Sequence, residues 1–109
     1  MKILLDESVP QDLRLIITGG HTVITTWYQG WSSFKNGALL DAAERAGFDL
    51  LITADQELCF QQNLKGRKLA ILVVSTNNWS YIRADIAKIT AAIEAVMPSS
   101  YTEVEISIR

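Results

Sequence analysis

The chain has 109 residues, of which 49% are hydrophobic, so it has the size of one domain and enough apolar side chains for a core. Its net charge of −2 gives no overall attraction to nucleic acid, so binding to a polyanion would need a local basic patch. One cysteine and one histidine exclude an internal disulfide, a multi-cysteine metal site and a multi-histidine metal site. We expect a single cytoplasmic domain over residues 1–109, with no signal peptide and no membrane-spanning segment.

The first third of the chain alternates between short apolar strands and other elements. Residues 2–6 predict a strand, and Ser8 with Pro10 indicates the start of a helix, because serine caps helices and proline suits the first turn. Residues 21–25 are β-branched and predict a second strand. Residues 26–35 have no clear period and carry four aromatic side chains, which indicates an irregular loop.

The remaining elements also alternate. They are, in chain order, a helix capped by Asn36 and ended by Gly47, a strand at 49–53, one or two helical turns at 55–64, a strand at 69–74, a helix at about 80–97 and a half-exposed edge strand at 102–108. Glu44 lies in the second half of its helix, and we expect it to face solvent.

This alternation predicts a three-layer α/β/α sandwich around a central, mainly parallel sheet. Right-handed crossovers leave few strand orders, and the common order 2-1-3-4, with the fifth strand at the edge, places strands one and three side by side. In such sheets ligands bind in the crevice at the carboxyl ends of the strands.

Acidic side chains follow the first and third strands at that crevice. Asp6 and Glu7 end the first strand, while Thr53 and Asp55 end the third. Clustered carboxylates repel one another unless a cation lies between them, and hard oxygen ligands suit Mg²⁺ or Mn²⁺. We therefore predict that Asp6 and Asp55 are catalytic metal ligands and that Glu7 orients water or completes the coordination shell. The polar groups able to reach the same space are Asn36, Thr53 and Asn77.

Each of these residues also has a structural interpretation. Asp55 begins a predicted helical turn, and aspartate is a favoured N-cap residue, so capping and metal binding stay open for it. Asn36 suits a helix cap better than a ligand position. Asp6 is harder to explain structurally, because a carboxylate that ends a central apolar strand is costly without a partner.

Two further groups have alternative roles. The aromatic side chains of the irregular loop are Trp27, Tyr28, Trp31 and Phe34. They either stack on nucleotide bases, or they cover a sheet edge or form a dimer contact. We favour the sheet edge or the dimer contact over stacking on bases. The dense basic cluster consists of Lys65, Arg67 and Lys68. It is either a solvated turn or a site that steers phosphates and lets an acidic protein bind RNA locally.

Three segments resemble the small stand-alone PIN-like proteins of the PIN nuclease superfamily: residues 2–10, residues 30–40 and residues 51–55. The resemblance implies a compact α/β/α domain whose acids bind Mg²⁺ or Mn²⁺ and cut RNA phosphodiesters. Asp6 matches the first acid of the family, and Asp55 matches the acid of its Thr-x-Asp motif. Many relatives are toxins of bacterial toxin–antitoxin pairs, so the resemblance also implies an RNA substrate, a small antitoxin partner and a homodimer.

The chain departs from the family pattern at two positions. Asn36 stands where many relatives have an acid, and Ser8 stands where many have asparagine. The loss of one charge motivates a second hypothesis, a non-catalytic PIN-like module that binds protein. A phosphoacceptor receiver domain is a third hypothesis, since it shares the strand order, but the lysine it needs after the fifth strand is missing.

Overall fold

The computed structural model of the chain describes residues 1–17, 19–34, 36–56 and 67–108. The elements in these ranges are, in chain order, β1 (Lys2–Leu5), α1 (Leu13–Ile16), β2 (Thr22–Thr25), α2 (Thr26–Gln29), α3 (Asn36–Arg45), β3 (Leu50–Thr53), β4 (Ala70–Val74), α4 (Trp79–Ala84), α5 (Ile86–Ala95) and β5 (Tyr101–Val104). No helix among the described residues is long and apolar enough to cross a membrane.

The strands form one five-stranded sheet in the order β2-β1-β3-β4-β5, and every neighbouring pair is parallel. Leu4 lies opposite Leu51, which in turn lies opposite Ile71. The predicted strand order is confirmed, and the sheet is wholly rather than mainly parallel. All five strands therefore end at one edge, here called the carboxyl edge, and begin at the opposite amino edge.

The core lies on both faces of the sheet, because successive side chains of a strand point to opposite sides. On one face, Leu5 and Ile52 pack with residues of α1, α4 and α5 such as Leu13 and Ile89. The other face is covered by α3, and its central residues are Leu4, Leu39, Leu40, Ala43, Leu51 and Ile71. Three layers result, which confirms the predicted architecture.

The turn after β1 differs from the prediction. Ser8 does not cap a helix, because α1 begins only at Leu13, whose backbone N–H donates to the carbonyl of Pro10. Residues 6–10 instead form a turn closed by a hydrogen bond from Val9 N–H to the carbonyl of Asp6. This turn leaves the Ser8 side chain beside Asp6, where it has a different role.

The predicted loop at 26–35 contains a helical turn, α2. The Thr25 hydroxyl caps it by accepting a hydrogen bond from Tyr28 N–H at 3.0 Å. Gly30 ends it with φ of 77°, a left-handed conformation that favours glycine. The aromatic side chains of this segment have two different environments. Trp31 packs against Phe34 and Phe48, whereas Trp27 and Tyr28 face solvent.

The predicted helix at 80–97 is two helices. Its apolar stripe packs inward as expected, but α4 ends and α5 begins around Asp85. There the N–H of Asp85 donates to the carbonyl of Ile82 and the N–H of Lys88 donates to that of Asp85, each three residues back. The helical turns predicted at 55–64 lie mostly outside the described residues.

Candidate active site

Asp6 stands at the carboxyl edge, one residue beyond β1. Its backbone N–H donates to the carbonyl of Ile52 at 2.9 Å and so continues the pairing of β1 with β3 past the end of the strand. Ile3, Leu4 and Leu5 of β1 are fully buried, and the Asp6 side chain is half-buried. The strand pairing therefore brings this carboxylate to the end of β3, as the sequence predicted.

One oxygen of the Asp6 carboxylate is held by several donors. Oδ2 accepts hydrogen bonds from Ser8 Oγ at 2.5 Å, from Thr53 Oγ1 at 3.0 Å and, more weakly, from Ser8 N–H at 3.4 Å. Within the described part of the chain, no group donates to Oδ1. Among the described residues, the carboxylate is thus fixed through one of its two oxygens.

The two hydroxyls that hold Asp6 are themselves fixed by backbone groups. Ser8 Oγ accepts from Ala54 N–H at 2.9 Å, and Thr53 Oγ1 accepts from Asp55 N–H at 3.1 Å. The two hydroxyl oxygens lie 3.1 Å apart. Because each hydroxyl carries one proton and can direct it to Asp6, both can serve the same carboxylate oxygen. We call Asp6, Ser8, Thr53 and Asp55 the β1–β3 rim.

Asp55 belongs to the rim through its backbone. Its N–H is bonded to the Thr53 hydroxyl, which also donates to Asp6, so one side chain connects the two predicted acids. Thr53 is almost fully buried, whereas Asp55 is exposed. The choice between capping and metal binding for Asp55 stays open, because the residues from 57 onward lie outside the described ranges.

A buried hydroxyl that the sequence did not single out lies next to the rim. Thr26 is 1% exposed, and its Oγ1 has no hydrogen-bond partner among the described residues. Thr25 pairs with Leu5, so Thr26 and Asp6 each follow the strand pair at the carboxyl edge. Buried hydroxyls nearly always have a partner, which makes Thr26 a candidate for binding water near the rim. No pattern in the sequence indicated it, since it lies in the segment interpreted as a loop.

The other polar residues predicted for the site are more dispersed. The exposed Glu7 side chain lines a groove beside β2. Asn36 is the first residue of α3, and its side chain lies outside what the structure describes. Asn77 is exposed after β4, and it is Asn78 that caps α4 by accepting from Ser80 N–H and Tyr81 N–H.

The basic cluster lies elsewhere. Arg67 and Lys68 precede β4 and so stand at the amino edge, opposite the rim, while Lys65 lies outside the described residues. Arg67 is ion-paired with Asp41 at 2.7 Å and with Glu44 at 3.5 Å. Glu44 also accepts from Lys68 N–H at 2.5 Å, so the expectation that it faces solvent was wrong. Arg67 and Lys68 therefore do not line the crevice that holds the acids.

The donor set of the rim fits a hydrated divalent ion. Mg²⁺ and similar ions keep several waters and bind through one or two carboxylates, which Asp6 Oδ1 and Asp55 can supply. The described residues contain no group of three or more histidine, cysteine, aspartate or glutamate side chains placed to hold a metal ion. The rim alone is therefore suited to a largely water-coordinated ion rather than to one enclosed by protein ligands.

Comparison of the chain with protein-family models, with curated proteins and with solved structures gives no significant match. The structure shows a small α/β domain with a five-stranded parallel sheet.

Proposed function

We propose that the chain is a Mg²⁺- or Mn²⁺-dependent endoribonuclease of the PIN-like type. The orientation of Asp6 carries this proposal: one oxygen is held by Ser8 and Thr53, and the other has no donor in the described ranges. Asp6 stands at the carboxyl edge, one residue beyond β1, so its second oxygen is the atom through which it would bind an ion there. That edge is where parallel α/β sheets bind ligands.

Each rim residue has a definite part in the proposed reaction. Asp6 and Asp55 would hold the ion, which supplies charge stabilisation at the scissile phosphate and an acidified water. Ser8 and Thr53 keep Asp6 in one orientation, and Glu7, which follows Asp6 at the same edge of the sheet, would order water there. The resemblance to PIN-like proteins supports RNA as the substrate, a role as the toxin of a toxin–antitoxin pair and a small antitoxin protein as its partner in the cytoplasm.

The test is RNA cleavage by the purified protein in the presence of Mn²⁺. We expect Asp6→Asn and Asp55→Asn to abolish cleavage while the domain stays folded. The amide introduced by Asp6→Asn keeps an oxygen that can accept from Ser8 and Thr53, so the turn is preserved and only the charge is lost. Asp12→Asn is the matched control, because Asp12 is exposed and its side chain does not cap α1. A wild-type protein that leaves a panel of RNAs intact would refute the proposal.

A second candidate is a PIN-like module that binds protein without catalysis. Asn36 in place of an acid favours it, and so do Trp27 and Tyr28, each 75% exposed beside the sheet. Calorimetric titration with Mn²⁺ separates the two functions. A nuclease takes up the ion and loses it on Asp6→Asn, whereas the module has no need of an ion at the rim.

A further inference from the structure

The outer edge of β2 is open. Thr22 N–H donates to the carbonyl of Met1, so Thr22 faces β1 and the following residue, Val23, faces away from it. The described residues include no hydrogen-bond partner for the backbone N–H and C=O of Val23. Uncovered edge strands of this kind pair readily with another strand.

A groove of about 780 Å³ runs along this open edge. Its lining residues are Glu7, Gln11, Arg14, Val23, Ile24, Thr25, Trp27 and Tyr28. Trp27 and Tyr28 are each 75% exposed, and at about 150 Å² apiece they offer about 300 Å² of surface. That is more than a third of the roughly 800 Å² that each partner buries in a standard interface, so these two side chains are its natural centre.

The charged side chains of the groove allow one copy of the groove to attract a second copy. Glu7 and Arg14 are its charged lining residues, and neither forms an ion pair within the described part of the chain. Glu7 follows β1 at the carboxyl edge, whereas α1, which carries Arg14, takes the chain back toward the amino edge. A surface whose opposite charges are displaced from each other in this way can pair with an inverted copy of itself.

We propose that the β2 groove is the interface of a two-fold symmetric dimer of this chain. The β2 strands of two copies pair antiparallel, which extends the sheet to ten strands and satisfies the Val23 backbone. Glu7 of each copy meets Arg14 of the other, and the exposed aromatic side chains are buried between them. The two β1–β3 rims then lie on opposite edges of the joint sheet. An RNA strand fits this surface less well, because it would not use the strand edge and Glu7 would repel its phosphates.

Sedimentation equilibrium over a range of protein concentrations tests the proposal. Wild-type protein is expected to be a dimer, and Glu7→Arg and Arg14→Glu are each expected to raise the dissociation constant at least about a hundredfold, because each creates two like-charge pairs. A mixture of the two variants restores a dimer. The double variant Trp27→Ser/Tyr28→Ser weakens association without touching the charges, and circular dichroism establishes that every variant is folded.

Two substitutions on other surfaces serve as controls, Arg83→Glu and Met97→Ser, since both residues are exposed and lie outside the groove. The proposal is overturned if wild-type protein is monomeric, if the groove variants dimerise as tightly as the controls, or if the mixed charge variants stay apart. Monomeric protein whose tryptophan fluorescence is quenched by a single-stranded RNA oligonucleotide, with the quenching lost in Trp27→Ser/Tyr28→Ser, would instead assign the groove to nucleobases. These results do not depend on cleavage activity, so they are separate from the test of the nuclease.

Discussion

Among the described residues, two hydroxyl groups rather than a cationic side chain hold Asp6 at the carboxyl edge. Ser8 and Thr53 both donate to Oδ2, and both are themselves held by backbone N–H groups of residues 54 and 55. Hydrogen bonds to a charged acceptor are stronger than those between neutral groups. These bonds therefore orient the Asp6 carboxylate without an ion pair to any cationic side chain among the described residues.

Replacing Ser8 tests this arrangement. Ser8→Ala removes one donor to Asp6 and leaves Ala54 N–H without its acceptor, so we expect the free energy of unfolding to fall by about 1–2 kcal/mol. Urea denaturation measures the change, and Ser33→Ala, at an exposed position, is the control. Ser8→Thr keeps the hydroxyl and should retain most of the stability. An unchanged midpoint for Ser8→Ala would mean that Thr53 alone positions the carboxylate.

The site was predictable from sequence only in part, for a physical reason. Thr53 ends an apolar strand, Asp6 and Asp55 follow such strands, and the ends of strands can be predicted from hydrophobicity alone. Ser8 was misassigned because serine before proline suits both a helix cap and a turn. Besides Asp6, its partners are Thr53 and Ala54, which lie 45 and 46 residues away along the chain, and no local pattern records these two contacts.

Among the helices and strands, the break between α4 and α5 also could not be predicted from the sequence. The apolar stripe continues in phase through both helices, so the periodicity predicted one helix. The break depends on Asp85, whose carboxylate accepts from Ser107 N–H at 3.0 Å and pairs with Lys88 at 3.0 Å. Lys88 also donates to the carbonyl of Glu105, so the break anchors the segment after β5. That anchor is a tertiary contact, which helical periodicity cannot reveal.

The Asp85 anchor gives a pH dependence with a definite sign. The hydrogen bond from Ser107 N–H, followed by the contact with Lys88, lowers the pKa of Asp85 below its ordinary value of 3.8. A carboxylate whose folded pKa is lowered contributes stability above its unfolded pKa and loses it as the pH falls toward the folded value. Wild-type stability should therefore fall below about pH 3.8 partly through this group.

Asp85→Asn isolates that contribution. The variant is expected to be less stable than wild type at neutral pH, with the difference narrowing as the pH falls below 3.8. Unfolding curves recorded over a pH series measure it, and Asp12→Asn provides the comparison at an exposed acid. A difference that stays constant across the acid range would show that the Asp85 charge has no part in the anchor.

For the whole molecule, the strand order followed from the sequence because few arrangements satisfy its constraints. The third and fourth strands are apolar on both faces, which places them inside the sheet, and right-handed crossovers then restrict the order. The sequence did not show whether the outer edges of the two edge strands, β2 and β5, are covered. The β2 edge has an open groove, whereas β5 continues into residues 105–107, which are bonded to Lys88, Ser75 and Asp85.

This difference between edges predicts a pattern of amide hydrogen exchange across the sheet. The amides of β1, β3 and β4 should exchange slowest, because these strands are paired on both sides and buried. Val23 N–H points outward from β2, so in dilute solution it should exchange rapidly, while Ile24 N–H, which faces β1, should be protected.

If copies pair through β2, Val23 exchange should slow by about tenfold once about nine-tenths of the protein is dimeric, since only the monomer then exchanges. Exchange resolved by residue with NMR, at low and high protein concentration, measures both amides in one sample. If the protein dimerises but the exchange rate of Val23 N–H does not change with protein concentration, the dimer contact lies on another surface and the β2 edge is open.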